Sequence, residues 1–135
     1  MKLYNMTQHS LQTSQIAQAE RLGYTFIESE RLNEIKKKLC NLNGFENLQE
    51  LSQELILACL YEVDALVFPI GSPLFYMEFA RVYSGSKAPK LLFSHTMRET
   101  VETQLPDGSV EKKMVFNHKG FHIVEPDKVP VYHAL

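Results

Sequence analysis

The sequence predicts an α/β fold: a Rossmann-like, mostly parallel sheet flanked by helices, followed by a C-terminal antiparallel β-hairpin. Three observations carry this expectation. From Leu3 to Ser94, short β-compatible runs alternate with runs of helical periodicity. The run Ala65-Leu66-Val67-Phe68-Pro69-Ile70 is apolar without alternation, as suits a strand buried on both faces. Asp107-Gly108 lies between two further β-compatible runs, a strong hairpin signal. The chain has 135 residues, close to the ~150 of a typical domain. One domain is expected over residues 1–125, with 126–135 as a tail that holds two prolines and no clear period.

The elements follow in order. Leu3 to Met6 reads as a first strand. Thr13 or Ser14 can cap a helix with Ile16, Ala19 and Leu22 on one face and Gly23 past its end. Tyr24 to Glu28 is β-rich, and Ser29 can cap a second helix carrying Leu32, Ile35 and Leu39. Lys36, Lys37 and Lys38 fall in its last turns, where cations suit the helix dipole and a solvated face is the plain expectation. Asn43-Gly44 breaks the pattern. Asn47, with Glu50 three residues on, can open a third helix striped by Leu48, Leu51, Leu55, Ala58 and Cys59.

After the apolar strand, Ser72 suits an N-cap and Pro73 the first helical position, with Phe75, Phe79 and Val82 as a buried stripe and Gly85 as a stop. Lys90 to Ser94 reads as the last parallel strand. Thr100 to Leu105 and Ser109 to Phe116 would then form the hairpin, with Val110, Met114, Phe116 and His118 on one face.

Composition excludes several classes. At 44% hydrophobic and 22% charged, the chain is neither disordered nor a coiled coil. Fourteen basic against sixteen acidic residues leave a net charge of −2, which argues against coating long DNA or RNA by counterion release. A small anionic ligand in a local pocket remains compatible. Two cysteines, Cys40 and Cys59, are too few for a disulfide framework, and both sit among apolar residues in predicted helices. No apolar run approaches the ~20 residues that span a bilayer, and the first residues lack a signal peptide's apolar core. A cytoplasmic protein without a membrane partner is expected.

Ligands of open parallel sheets bind at the carboxyl ends of strands near a topological switch point. That rule selects Thr7-Gln8-His9-Ser10, Gly71-Ser72-Pro73 and Ser94-His95-Thr96-Met97-Arg98, each read as a loop that follows a strand. Gly71 and Ser72 are the best phosphate candidates, because a helix N-terminus offers free N–H groups; ordinary capping uses the same residues. His9 and His95 can bind a phosphate or move a proton, or simply be polar loop residues. Arg98 suits charge developing on phosphate oxygens, or a surface pair with Glu99 or Glu102. Thr7, Gln8, Ser94 and Thr96 are candidate ligand-binding residues. His118 reads as a packed, hydrogen-bonded histidine. Tyr76 and Tyr83 can stack on a base but sit at helical positions that favour the core or its rim.

No G-x-G-x-x-G, Walker-type loop or zinc spacing occurs. The first two loops contain no Asp or Glu, and the third has none before Arg98, so no metal and no other cofactor is expected. Phosphodiester chemistry would then use a ribose 2′-OH as nucleophile.

The order of short motifs resembles small CRISPR-associated proteins of the ring-nuclease type, minimal relatives of the Rossmann-like domains that sense cyclic oligoadenylates. The likeness rests on Asn5-Met6-Thr7-Gln8-His9-Ser10-Leu11 with Gln15, on Ile70-Gly71-Ser72, on Arg98-Glu99-Thr100-Val101-Glu102, on Asp107-Gly108-Ser109-Val110 and on Phe116-Asn117-His118-Lys119-Gly120-Phe121. It runs in patches from Leu3 to Phe121. The form Ile70-Gly71-Ser72-Pro73 and the segment after Glu125 depart from the pattern. The resemblance implies a homodimer that binds a cyclic oligoadenylate, with cyclic tetra-adenylate as the expected ring. It implies cleavage by 2′-OH attack, which switches off type III CRISPR antiviral signalling. Arg98 would stabilise the phosphorane, His95 or His9 would assist proton transfer, and Thr7 and Ser72 would orient phosphates. A sensor or sponge that binds without cutting, and an interaction protein with no nucleotide ligand, are the alternatives.

Overall fold

A computed structural model describes residues 1–42, 47–69, 73–83, 88–125 and 128–135. The elements are β1 (Lys2–Asn5), α1 (Thr13–Arg21), β2 (Thr25–Phe26), α2 (Glu30–Cys40), α3 (Leu48–Glu62), β3 (Ala65–Val67), α4 (Pro73–Tyr83), β4 (Lys90–Gln104), β5 (Val110–Val124) and β6 (Val131–Ala134). The breaks expected at Asn43-Gly44 and Gly85 lie outside the described residues.

One six-stranded sheet runs in the order β2-β1-β3-β4-β5-β6. The first four strands are parallel, while β5 and β6 are added antiparallel. The mostly parallel α/β sheet with a C-terminal hairpin is therefore the observed architecture. The chain moves from β1 to β2 in one direction and from β2 to β3 and β4 in the other. The switch point thus falls between β1 and β3.

Local capping explains the helix starts. Ser29 Oγ accepts from Leu32 N at 3.2 Å and Asn47 Oδ1 accepts from Glu50 N at 3.1 Å. At α1 the N-cap is Gln12 rather than Thr13 or Ser14, and its own N–H is taken by Gln15 Oε1 at 2.7 Å.

The period-2 alternation of the strands splits the core in two. Tyr4, Leu66, Phe68 and Leu91 face α2, α3 and α4, meeting Leu32, Ile35, Leu55, Phe75 and Phe79. Leu3, Ala65, Val67 and Leu92 face α1, meeting Ala19, Tyr24 and Phe121. Among the described residues, no helix is long and apolar enough to cross a membrane.

Two expectations change. Lys90–Gln104 is one continuous strand, so the last parallel strand is also the first strand of the hairpin, and the segment Ser94 to Arg98 is not a loop. It holds no Gly or Pro to break extended backbone, and a register shift between His95 and Thr96 is the irregularity there. The hairpin closes at Asp107-Gly108 as expected, with Gly108 at φ +86°. The expected tail also carries structure. Its residues 131–134 form β6, which pairs with 120–123 of β5. Gly120 permits the close approach, since a Cβ there would lie 2.2 Å from the His133 carbonyl oxygen.

Candidate functional site

A cavity of about 670 Å³ opens at the carboxyl ends of β1 and β3, beside the switch point. Its wall takes Thr7, Gln8 and His9 from the loop after β1, Phe68 and Pro69 from the end of β3, and Ser94 and Thr96 from β4. Gln15 from α1 and Leu39 and Cys40 from α2 complete it. No carboxylate stands among the described lining residues, so an anion entering here meets hydroxyls, amides and an imidazole.

The loop after β1 is held by Asn5. Its Oδ1 accepts from Thr7 N at 3.0 Å and from Thr7 Oγ1 at 2.6 Å, and its Nδ2 donates to the His9 carbonyl at 2.8 Å. This is an Asx-type turn, which a short amide side chain makes with backbone two residues on. It fixes Thr7 and His9 at the cavity rim.

The opposite wall is a chain of polar side chains beneath α1. Thr96 Oγ1 lies 2.9 Å from Ser94 Oγ, which lies 2.7 Å from His118 Nδ1. His118 Nε2 lies 2.6 Å from Gln18 Oε1. Gln15 Nε2 donates to Ser94 Oγ at 3.0 Å, and Gln18 Nε2 donates to the His133 carbonyl at 2.8 Å. His118 is buried, its ring 4.5 Å from that of Phe121. Burial holds its imidazole below the ordinary histidine range, and the charge of His95 acts in the same direction.

The expected site residues are partly gathered. Thr7, Gln8, His9, Ser94 and Thr96 share the one cavity. Gly71 and Ser72 lie outside the described residues. His95 turns away from Ser94 and Thr96 to pack edge-on against His122 and Tyr132, with ring centroids at 6.0 and 5.8 Å. Arg98 is outside the lining; it is exposed, two residues beyond Thr96 on the same strand face, with its guanidinium 5.4 Å from the Phe116 ring centre. Glu99 and Glu102, the expected surface partners of Arg98, pair instead with Lys119 and Lys112. Tyr83 is buried and donates to the Pro89 carbonyl, while Tyr76 meets Phe68 and Phe93 edge-on.

The sequence assigned no site role to three residues, although Asn5 and Gln15 lie within the motifs that carry the resemblance. Asn5, Gln15 and Gln18 belong to the polar framework of the site, and nothing in composition distinguishes them from other amides. Lys36 is a fourth case, with a readable signal. It stands four residues after Leu32 and three before Leu39, on the buried stripe of α2. Its Nζ donates to the Asn5 carbonyl at 3.0 Å and lies 5.6 Å from the Tyr4 ring centre. Lys37 and Lys38, by contrast, pair with Glu34 and Glu54 on the exposed side. The lysine run is thus a solvated face at two positions and a cation beside the β1 terminus at the third.

The two cysteines also separate. Cys59 is buried, which pushes its thiol up to about 12, whereas Cys40 is exposed and lines the cavity. Among the described residues, no group of three or more His, Cys, Asp or Glu side chains is placed to hold a metal ion.

The family model described as "Uncharacterized protein MJ1673 family" matches residues 1–122. The chain belongs to that family. No curated protein and no solved structure matches it.

Proposed function

We propose that this MJ1673-family protein binds a cyclic oligoadenylate in the β1–β3 cavity and cleaves it without a metal ion. The observation that carries the reading is the convergence of Thr7, Gln8 and His9 with Ser94 and Thr96 around one hollow that has no carboxylate among its described lining residues. Those segments are 85 or more residues apart in the chain and meet only through the parallel sheet. The motif order that resembles ring nucleases supplies the ligand class. Hydroxyls and amides suit the phosphate oxygens and sugar hydroxyls of such a ring, and Lys36, outside the lining, places a cation behind the loop after β1, on the Asn5 carbonyl.

In this reading the ribose 2′-oxygen attacks the adjacent phosphorus. The new O–P bond forms as the bond to the 5′-oxygen breaks, leaving a 2′,3′-cyclic phosphate and a 5′-hydroxyl. Thr7 and Gln8 orient the phosphate, and His9, on the rim, supplies the proton taken by the 5′-oxygen. A ring of four adenylates is larger than this cavity. Two protomers about a two-fold axis would each hold part of it, and Arg98, outward of Thr96, would meet the portion that extends beyond. Removal of such a ring would end a type III CRISPR antiviral signal.

Binding without cleavage is the second reading. It is favoured by the position of His95 and Arg98, two expected catalytic side chains that stand outside the lining.

Labelled cyclic tetra-adenylate incubated with the protein in EDTA separates the two. Linear product ending in a cyclic phosphate supports the nuclease. A retained, unaltered ring supports the binder. Failure to bind or cut cyclic tri-, tetra- and hexa-adenylate removes both.

A further inference from the structure

The hydrogen-bond directions along the wall beneath α1 can be assigned from one end. The His133 carbonyl only accepts, so the nitrogen of the Gln18 amide must face it, at 2.8 Å. The Gln18 oxygen therefore faces His118 Nε2, at 2.6 Å, and that nitrogen must carry the hydrogen. In the neutral ring Nδ1 is then a bare acceptor. The Ser94 hydroxyl, 2.7 Å away, points its hydrogen at it. With Gln15 donating to one Ser94 lone pair, the other is left for Thr96, which becomes a donor across 2.9 Å. Thr96 is exposed and lines the cavity, so its own lone pairs are open to a ligand.

We infer that His118 accepts the proton of a ligand hydroxyl bound at Thr96, passed inward through the Thr96 and Ser94 hydroxyls. The inference rests on the cleavage reading above and gives it its base. The ligand 2′-OH donates to Thr96 Oγ1 as the Thr96 proton moves to Ser94 Oγ and the Ser94 proton to His118 Nδ1. The electron pair freed on the 2′-oxygen forms the bond to phosphorus. The imidazole becomes an imidazolium whose Nε2–H stays on Gln18 Oε1. His9 gives the leaving 5′-oxygen its proton, so one histidine gains what the other loses, and solvent resets both.

The arrangement suits a base better than a packing residue. A buried imidazole needs both nitrogens satisfied, and here one is satisfied by a hydroxyl chain that ends in the cavity. Titratable groups on the surrounding elements include Glu20 and Arg21 on α1, His95, Arg98 and Glu99 on β4, Lys119 and His122 on β5, and Tyr132 and His133 on β6. Of these, His95 is the one whose charge acts on His118, and it favours the neutral ring. His118 is a positioning residue in this scheme, since it acts through Ser94 and Thr96 rather than on the ligand.

The test pairs two measurements on the full chain. Nitrogen-15 NMR of histidine-labelled protein reads the tautomer and titration of His118. Cleavage of cyclic tetra-adenylate in EDTA, with its affinity measured alongside, is followed against pH for the wild type, Thr96→Val, Ser94→Ala and His118→Asn. The relay predicts an Nε2–H tautomer at neutral pH and a wild-type rate that rises through the ionisation NMR assigns to His118. It predicts that Thr96→Val, at an exposed position that folding tolerates, and Ser94→Ala lower kcat on the order of 10²-fold and abolish that acidic limb, with ring affinity falling by much less than kcat in both. An Nδ1–H tautomer overturns the relay, and so do Ser94→Ala and Thr96→Val enzymes that keep both rate and limb; in either case the cleavage reading survives. A wild-type protein that binds the ring without cutting it overturns both.

Discussion

The side-chain amide of Gln18, on the first helix, donates to the backbone carbonyl of His133, on the last strand, across 2.8 Å. The same amide's oxygen meets His118 at 2.6 Å. A residue that would elsewhere be a surface glutamine is buried here, with both ends of its amide hydrogen-bonded across to β5 and β6. Gln18→Leu leaves the imidazole N–H and the strand carbonyl without this partner. It should destabilise the fold by about 1–3 kcal/mol and speed amide exchange in β6. Urea unfolding and hydrogen exchange read these two effects; an unchanged midpoint would show that water takes over both bonds.

The buried His118 makes stability depend on pH. Its native pKa lies below the ordinary 6.5, so between the two values the unfolded chain binds more protons than the folded one. Stability therefore rises with pH through that window, and is lost as pH falls from about 6.5 towards the native value. His118→Asn should flatten this part of the profile. Gln18→Glu should reverse the direction of the shift, because a carboxylate beside the ring favours the imidazolium. Thermal melts of the three proteins between pH 5 and about 8 check both signs.

Much of this fold was legible in the sequence, and the parts that were not share a cause. Helix α2 was readable because Ser29 caps it and Leu32, Ile35 and Leu39 recur at helical spacing. The apolar strand at Ala65 was readable because both of its faces are buried. By contrast, Ser94 to Arg98 mixes polar and apolar residues without a breaker, and only pairing with β5 makes it strand. Likewise β6 has no hydrophobic period of its own; it forms because Gly120 lets it approach. Strand-end rules selected Thr7 to His9, Ser94 and Thr96, which line one cavity. His95 lies off that lining because, once the segment is extended, neighbouring side chains point to opposite faces. His118 was rightly read as packed and bonded, but its partners are 24 and 100 residues away, beyond any local pattern.

Cysteine chemistry offers a simple check of the cavity. Cys40 is exposed on its wall and Cys59 is buried with a thiol held at about 12. Iodoacetamide should modify the native protein once, at Cys40, and denaturant should expose the second site. Saturating cyclic tetra-adenylate should slow the first reaction several-fold. Labelling at Cys59 without denaturant, read by peptide mass spectrometry, would contradict the packing described for α3.

If the proposed function holds, one hollow between the β1 terminus and the middle of β4 receives the ligand. An amide shift map, recorded while cyclic tetra-adenylate is titrated into nitrogen-15-labelled protein in EDTA and at low temperature, tests it most directly. The largest changes should fall at Thr7, Gln8, His9, Ser94 and Thr96, with smaller ones at Arg98. Changes confined to the exposed face of α3 around Leu57 and Tyr61, or to the hairpin tip at Asp107, would contradict it.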